Sequence, residues 1–205
     1  AKELASYVAE AAACIETAEN FDDTIAAGLL AEMNAERTEN GLAPLQRRAS
    51  LDTAAKAHAL DMSARIFADH VDPEGRDHLY RIRAFDRTML GGASGSNVTV
   101  SRAADDAKTV HAKIKMDASS AANFSRDSFT DVGIGVVEEA GQFYIVQVFA
   151  AAEGDFQDAI PVSARGTTPL NANLFDRARQ VVAWGLVDSQ SGELLARSAM
   201  PRVRF

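Results

Sequence analysis

Leu4, Val8, Ala11, Ala12 and Ile15 recur at helical steps through an Ala- and Glu-rich opening segment, which predicts a helix over residues 2–19. Asn20-Phe21-Asp22-Asp23 breaks that pattern and offers N-caps for a second helix. This helix carries Ile25, Leu29, Leu30 and Met33 on one face and stops at the C-cap signal Asn40-Gly41. Leu42-Ala43-Pro44-Leu45 reads as extended. From Ser50, a third helix is predicted by Leu51, Ala54, Ala55, His58, Met62 and Ile66 at three- and four-residue spacing. A corner follows at His70–Gly75, then a short helix over 76–85, a loop at Gly91-Gly92-Ala93-Ser94-Gly95-Ser96 and a helix over 103–116.

The period then changes to two. Val132, Ile134 and Val136 alternate with Gly133 and Gly135, and Phe143 to Phe149 is apolar on both faces. These segments predict a β-hairpin, 130–139 with 142–151, about the turn Glu139-Ala140-Gly141. Glycines on one face let a helix approach closely, and a strand apolar on both faces belongs to a sheet covered twice. The expected fold class is therefore α+β, with a small antiparallel sheet between two helical layers. A Pro/Gly/Ser/Thr stretch from Pro161 to Pro169 leads to a second hairpin, 181–188 with 193–199, on which Trp184 is expected to be a packing anchor.

Composition narrows the function classes. The 205 residues carry 21 basic and 29 acidic side chains, for a net charge of -8, without a Lys/Arg block. That argues against a nucleic-acid partner. No apolar run approaches the ~20 residues of a membrane span, so no transmembrane segment is expected. Cys14 is the only cysteine, so an intrachain disulfide is excluded; it is expected to be buried in its helix. The first residues lack the charged-then-apolar pattern of a signal peptide.

The chemistry centres on His70. Three other histidines accompany it. On one continuous helix, His58 would lie ~18 Å along the axis from His70, so the two are not expected to share a site. His78 is brought nearer by the Pro73–Gly75 corner, where Asp69, Asp72, Glu74 and Asp77 cluster; a weak divalent-metal site at His70 and His78 is one alternative. His111, among Lys108, Lys113 and Lys115, is expected on the surface.

The ordered segments resemble a known family. They are Leu29–Arg37, Asn40–Leu45, His58–Met62, His70 with Pro73 and Gly75, Ser96-Asn97-Val98, Asp131–Val136 and Tyr144–Ala150. Together they resemble the bacterial branch of the CAP superfamily, also called SCP domains, over about residues 25–152. The resemblance implies a three-layer α-β-α sandwich, export to an extracellular or periplasmic location, and a cleft with two histidines and acidic residues that binds a divalent metal such as zinc in some members. Residues 1–24 are then an N-terminal helical extension, and residues 153–205 a C-terminal extension with a hairpin.

Matched position by position, His70 takes the place of the first cleft histidine. Ser96 replaces the family's glutamate beside Asn97, and Ser120 falls where the second histidine stands. The ligand-binding cleft implied is His70, Ser96, Asn97 and Ser120. With one imidazole left, no zinc or other cofactor is expected. The leading expectation is a non-enzymatic binding or interaction module for an unknown small-molecule or protein ligand. The alternative is a hydrolase pairing His70 with Ser96 or Ser120, which also needs an orienting carboxylate and an oxyanion hole. Oligomeric state is not legible.

Overall fold

The computed structural model describes residues 2–162, 171–176, 178, 183–187 and 193–199. The first helix, α1 (Lys2–Thr17), is followed by α2 (Asp23–Glu39), β1 (Gln46–Arg47), α3 (Ala49–Arg65) and α4 (His78–Phe85). Then come β2 (Met89–Arg102), α5 (Ala107–Ile114), α6 (Ala118–Phe124), β3 (Asp131–Glu139), β4 (Gln142–Phe156) and β5 (Ala172–Leu174). Aspartates start four of the helices. Asp22, Asp77, Asp106 and Asp117 each accept a backbone N–H from the first turn of α2, α4, α5 and α6.

The main sheet has the order β1-β3-β4-β2, with β5 pairing the end of β4. It is mixed, because β1 runs parallel to β3; the other pairings are antiparallel. The β3–β4 hairpin turns through Ala140 and Gly141, both at positive φ (50° and 76°), as a two-residue turn of this hand requires.

Alternation along the strands divides the core. Val132, Ile134, Val136, Ile145 and Phe149 face α2, α5 and α6, packing with Leu29, Met33, Ile114 and Phe124. Val146, Val148 and Ala150 face α3 and α4, packing with Leu51, Ala55, Met62 and Ile82. Three layers result. The close helix is α3: a Cβ on Gly133 would lie 2.0 Å from the Leu51 carbonyl carbon, and one on Gly135 2.6 Å from that of Ala55.

Several expectations are corrected. The Gly- and Ser-rich segment 91–96 is not a loop but part of the 14-residue strand β2, because β4 needs a partner along that edge. Register shifts between Leu90 and Ser94 absorb the irregular glycine run. Helix α6 and strand β5 were not expected, α5 covers only 107–114, and the first short strand lies at 46–47, just after the extended segment. Cys14 is exposed, since α1 is a peripheral helix with none of its described side chains fully buried. The C-terminal strands β6 (Ala183–Val187) and β7 (Leu194–Ala199) pair antiparallel as a separate sheet. The side chain of Trp184 lies outside the described residues.

Candidate functional site

Helix α3 ends at Ile66, whose φ of 56° is left-handed, and the chain doubles back. That reversal returns residue 69 to the middle of the helix. The buried His58 donates from Nε2 to the Asp69 carbonyl at 2.7 Å, so α3 holds the segment that leads into His70. Its proton therefore sits on Nε2, leaving Nδ1 buried without a partner. Burial, reinforced by the Arg81 charge, pushes the His58 pKa down to about 4.

Arg81, on α4, lies fully buried beneath the same corner. Its guanidinium donates to the carbonyl of His70 at 2.7 Å and to that of Arg76 at 2.6 Å. The corner also closes on itself. The buried Asp72 carboxylate accepts from the backbone N–H groups of Glu74 and Arg76 and pairs with the Arg76 side chain at 2.6 Å. Glu74 pairs with Arg65 and Arg76, and Asp77 caps α4. These acids are structural partners rather than a solvated acidic turn.

Held in this way, the exposed His70 ring places Nδ1 2.8 Å from Ser96 Oγ. His78, the first residue of α4, places Nε2 3.2 Å from Ser94 Oγ, and burial lowers its pKa. Ser94 and Ser96 lie two apart on β2, so two serine–imidazole pairs stand side by side on the α3–α4 face. Asn97 points to the opposite face. Its amide donates to the Ser120 carbonyl and to Gln147 Oε1, while Asn123 donates to Asn97 Oδ1 at 2.8 Å. Ser120 thus reaches the strand through its backbone from the α6 side, and its hydroxyl makes no hydrogen bond to His70 or Ser96 among the described residues. Ser96 is 8% exposed and Ser120 7%.

His111 corrects another expectation. It is buried, donating from Nε2 to Glu36 at 2.8 Å and packed at a tilt against Phe124, with ring centroids 4.7 Å apart, so it ties α5 to α2 and α6. The buried Arg37 is a cross-tie that the sequence reading missed. It donates to the carbonyls of Ala43, Phe124, Arg126 and Phe129, fixing the loop after α6.

Among the described residues, no histidine belongs to a group of three close metal donors. Both His70 and His78 are engaged by serine hydroxyls. Among the described residues, the one group of three close donors is Asp61, Asp72 and Glu74. Those carboxylates are paired with Arg65 and Arg76 and include no imidazole or thiolate. Two cavities lie away from His70. One of ≈ 430 Å³ is lined by Arg48, Ser50, Phe85, Asp86, Arg87 and Thr88; one of ≈ 250 Å³ by Glu19, Phe21, Glu138 and Glu139, among others.

A family model described as CAP, the cysteine-rich secretory protein family, matches residues 30–149, more than half of the chain. The chain belongs to the CAP family. Two solved structures share its CAP fold. One is an extracellular protein containing an SCP domain from Bacillus anthracis, at 19% identity and a TM-score of 0.52, covering 60% of this chain and 38% of that one. The other is an outer surface protein of Borrelia burgdorferi, at 16% identity and a TM-score of 0.57, covering 64% of this chain and 97% of that one. The CAP match spans α3, the His70 corner, β2 and α6, and begins after α1. No curated protein sequence matches significantly. Among the described residues, no helix of this CAP protein is long and apolar enough to cross a membrane.

Proposed function

We propose that this CAP-domain chain is an exported protein acting as a non-enzymatic binding or interaction module, with the His70 corner as its recognition surface. Extracellular and surface proteins among the structural neighbours support the location. One observation carries the reading of the site: His70 is an exposed imidazole bonded to a nearly buried serine, and no carboxylate bonds its ring among the described residues. A Ser–His hydrolase needs the imidazole oriented by a third group and the hydroxyl open to a substrate carbonyl. Here the hydroxyl is covered and the outward-facing part of the pair is the ring. That arrangement suits hydrogen bonding to a ligand better than nucleophilic attack.

The same 2.8 Å contact is the observation that favours hydrolysis as a second reading, and one experiment separates the two. The chain is incubated with a broad panel of serine-directed fluorophosphonates, and labelled peptides are identified by mass spectrometry. The binding reading expects no labelling at Ser96 or Ser120. Labelling of either serine that disappears in His70→Ala would establish the hydrolase and overturn the proposal.

A further inference from the structure

The corner that carries His70 is gripped from outside the family match as well as from within it. Tyr7, on α1, lies under Arg76, with the guanidinium carbon 4.4 Å from the ring centroid. The same ring packs edge-on to Tyr80 at 5.7 Å and against Phe85 at 5.8 Å, both on α4. Burial raises the Tyr7 pKa to about 12, so the phenol stays neutral and presents a π face to the cation. From Arg76 the contacts run inward. Its side chain holds the Asp72 carboxylate, and its carbonyl shares Arg81 with the carbonyl of His70.

Helix α1 is lightly attached by comparison with the elements it touches. Leu4, Tyr7, Val8, Ala11 and Ile15 are only partly buried, whereas the facing α3 and α4 contain fully buried side chains. An element with little buried surface opens at low free-energy cost while the core stays closed. Its aromatic anchor nevertheless sits on the residue that organises the 72–76 turn.

We propose that α1 is a latch on the His70 corner: the Tyr7 ring, acting on Arg76, sets how firmly the imidazole is held against Ser96. Docking of α1 gives the rigid, ligand-ready corner, and release of α1 gives a loosened one. This regulation rests on reading that corner as the binding surface. Tyr7 is a positioning residue, acting through Arg76 and Arg81 without touching His70.

The test compares the full wild-type chain with Tyr7→Ala and Tyr7→Phe by two readouts. The first is amide hydrogen exchange over residues 71–77, with residues 131–139 as the core control. The second is the rate at which diethyl pyrocarbonate acylates His70, followed by mass spectrometry. Tyr7→Ala is expected to speed exchange over 71–77 about tenfold, as for loss of a partly desolvated cation–π contact and its aromatic neighbours, and to accelerate His70 acylation. The core control stays unchanged, and Tyr7→Phe behaves as wild type because the ring is retained. Unchanged exchange and acylation in Tyr7→Ala would overturn the latch. So would an equal rise in the core strands, or a phenylalanine variant as loose as the alanine one. Serine labelling would refute the binding reading without moving these two measurements, so the two failures are distinguishable.

Discussion

Acid should weaken the His70 corner through His58, within a defined pH window. In the unfolded chain this histidine takes up a proton near 6.5; in the fold it does so only at about 4. Between those values the unfolded state binds more protons, so stability is fully present above pH 6.5 and is lost as pH falls through 4. The difference corresponds to about 3 kcal/mol. The geometry supplies the reason. Nε2 is committed to the Asp69 carbonyl, so the incoming proton must go to Nδ1, a buried atom without a partner and subject to the Arg81 charge. His58→Gln retains an amide donor and removes the titration. Urea unfolding measured from pH 7 down to pH 4 should show the wild type losing about 3 kcal/mol more than the variant, mostly below pH 6.5. His78, also lowered by burial, adds loss of the same sign in both proteins. Parallel stability curves for wild type and His58→Gln would refute the assignment.

Three further substitutions test the frame. Burial raises the Asp86 pKa, but hydrogen bonds from Arg48, Ser50 and the Met89 N–H outweigh it and hold the value at about 2. Its stabilisation of about 2 kcal/mol is present above pH 3.8 and lost as pH falls through 2, so Asp86→Asn should remove that acid-limb loss in unfolding titrations. Gly133→Ala would drive a methyl into the Leu51 backbone and should cost about 3 kcal/mol. At Gly141 nothing lies within 4 Å and only the left-handed φ of 76° opposes a side chain, so Gly141→Ala should cost about 1 kcal/mol in the same denaturant assay.

What the sequence revealed follows from how local each signal was. The β3–β4 hairpin was legible because its alternation, flanking glycines and turn residues all lie within about twenty positions. Helices α2 and α3 were legible because their apolar stripes run for several turns. Strand β2 was not, since Gly91, Gly92, Ser94, Gly95 and Ser96 have poor intrinsic strand preference; pairing with β4 overrides it. His111 looked exposed because its sequence neighbours are lysines, while its partner Glu36 is 75 residues away. The buried Arg37 and Arg81 bond backbone carbonyls, and carbonyls leave no mark on a sequence.

The same limit applies inside the site. Adjacent residues of a strand point to opposite faces, so Ser96 and Asn97 cannot serve one surface with their side chains. Ser96 turns to His70, and Asn97 turns to α6 and the carbonyl of Ser120. Aligning Ser96 and Ser120 to a shared cleft follows the order of the chain, whereas the hydrogen bonds follow the alternation of β2. Position 120 is linked to the His70 side only indirectly, through the Asn97 amide on its carbonyl and through Asn123, which donates to both Asn97 Oδ1 and the Ser96 carbonyl. The imidazole itself bonds Ser96, while His58 and Arg81 hold the backbone carbonyls of its corner; of the three, only Ser96 was placed in the cleft by the family resemblance.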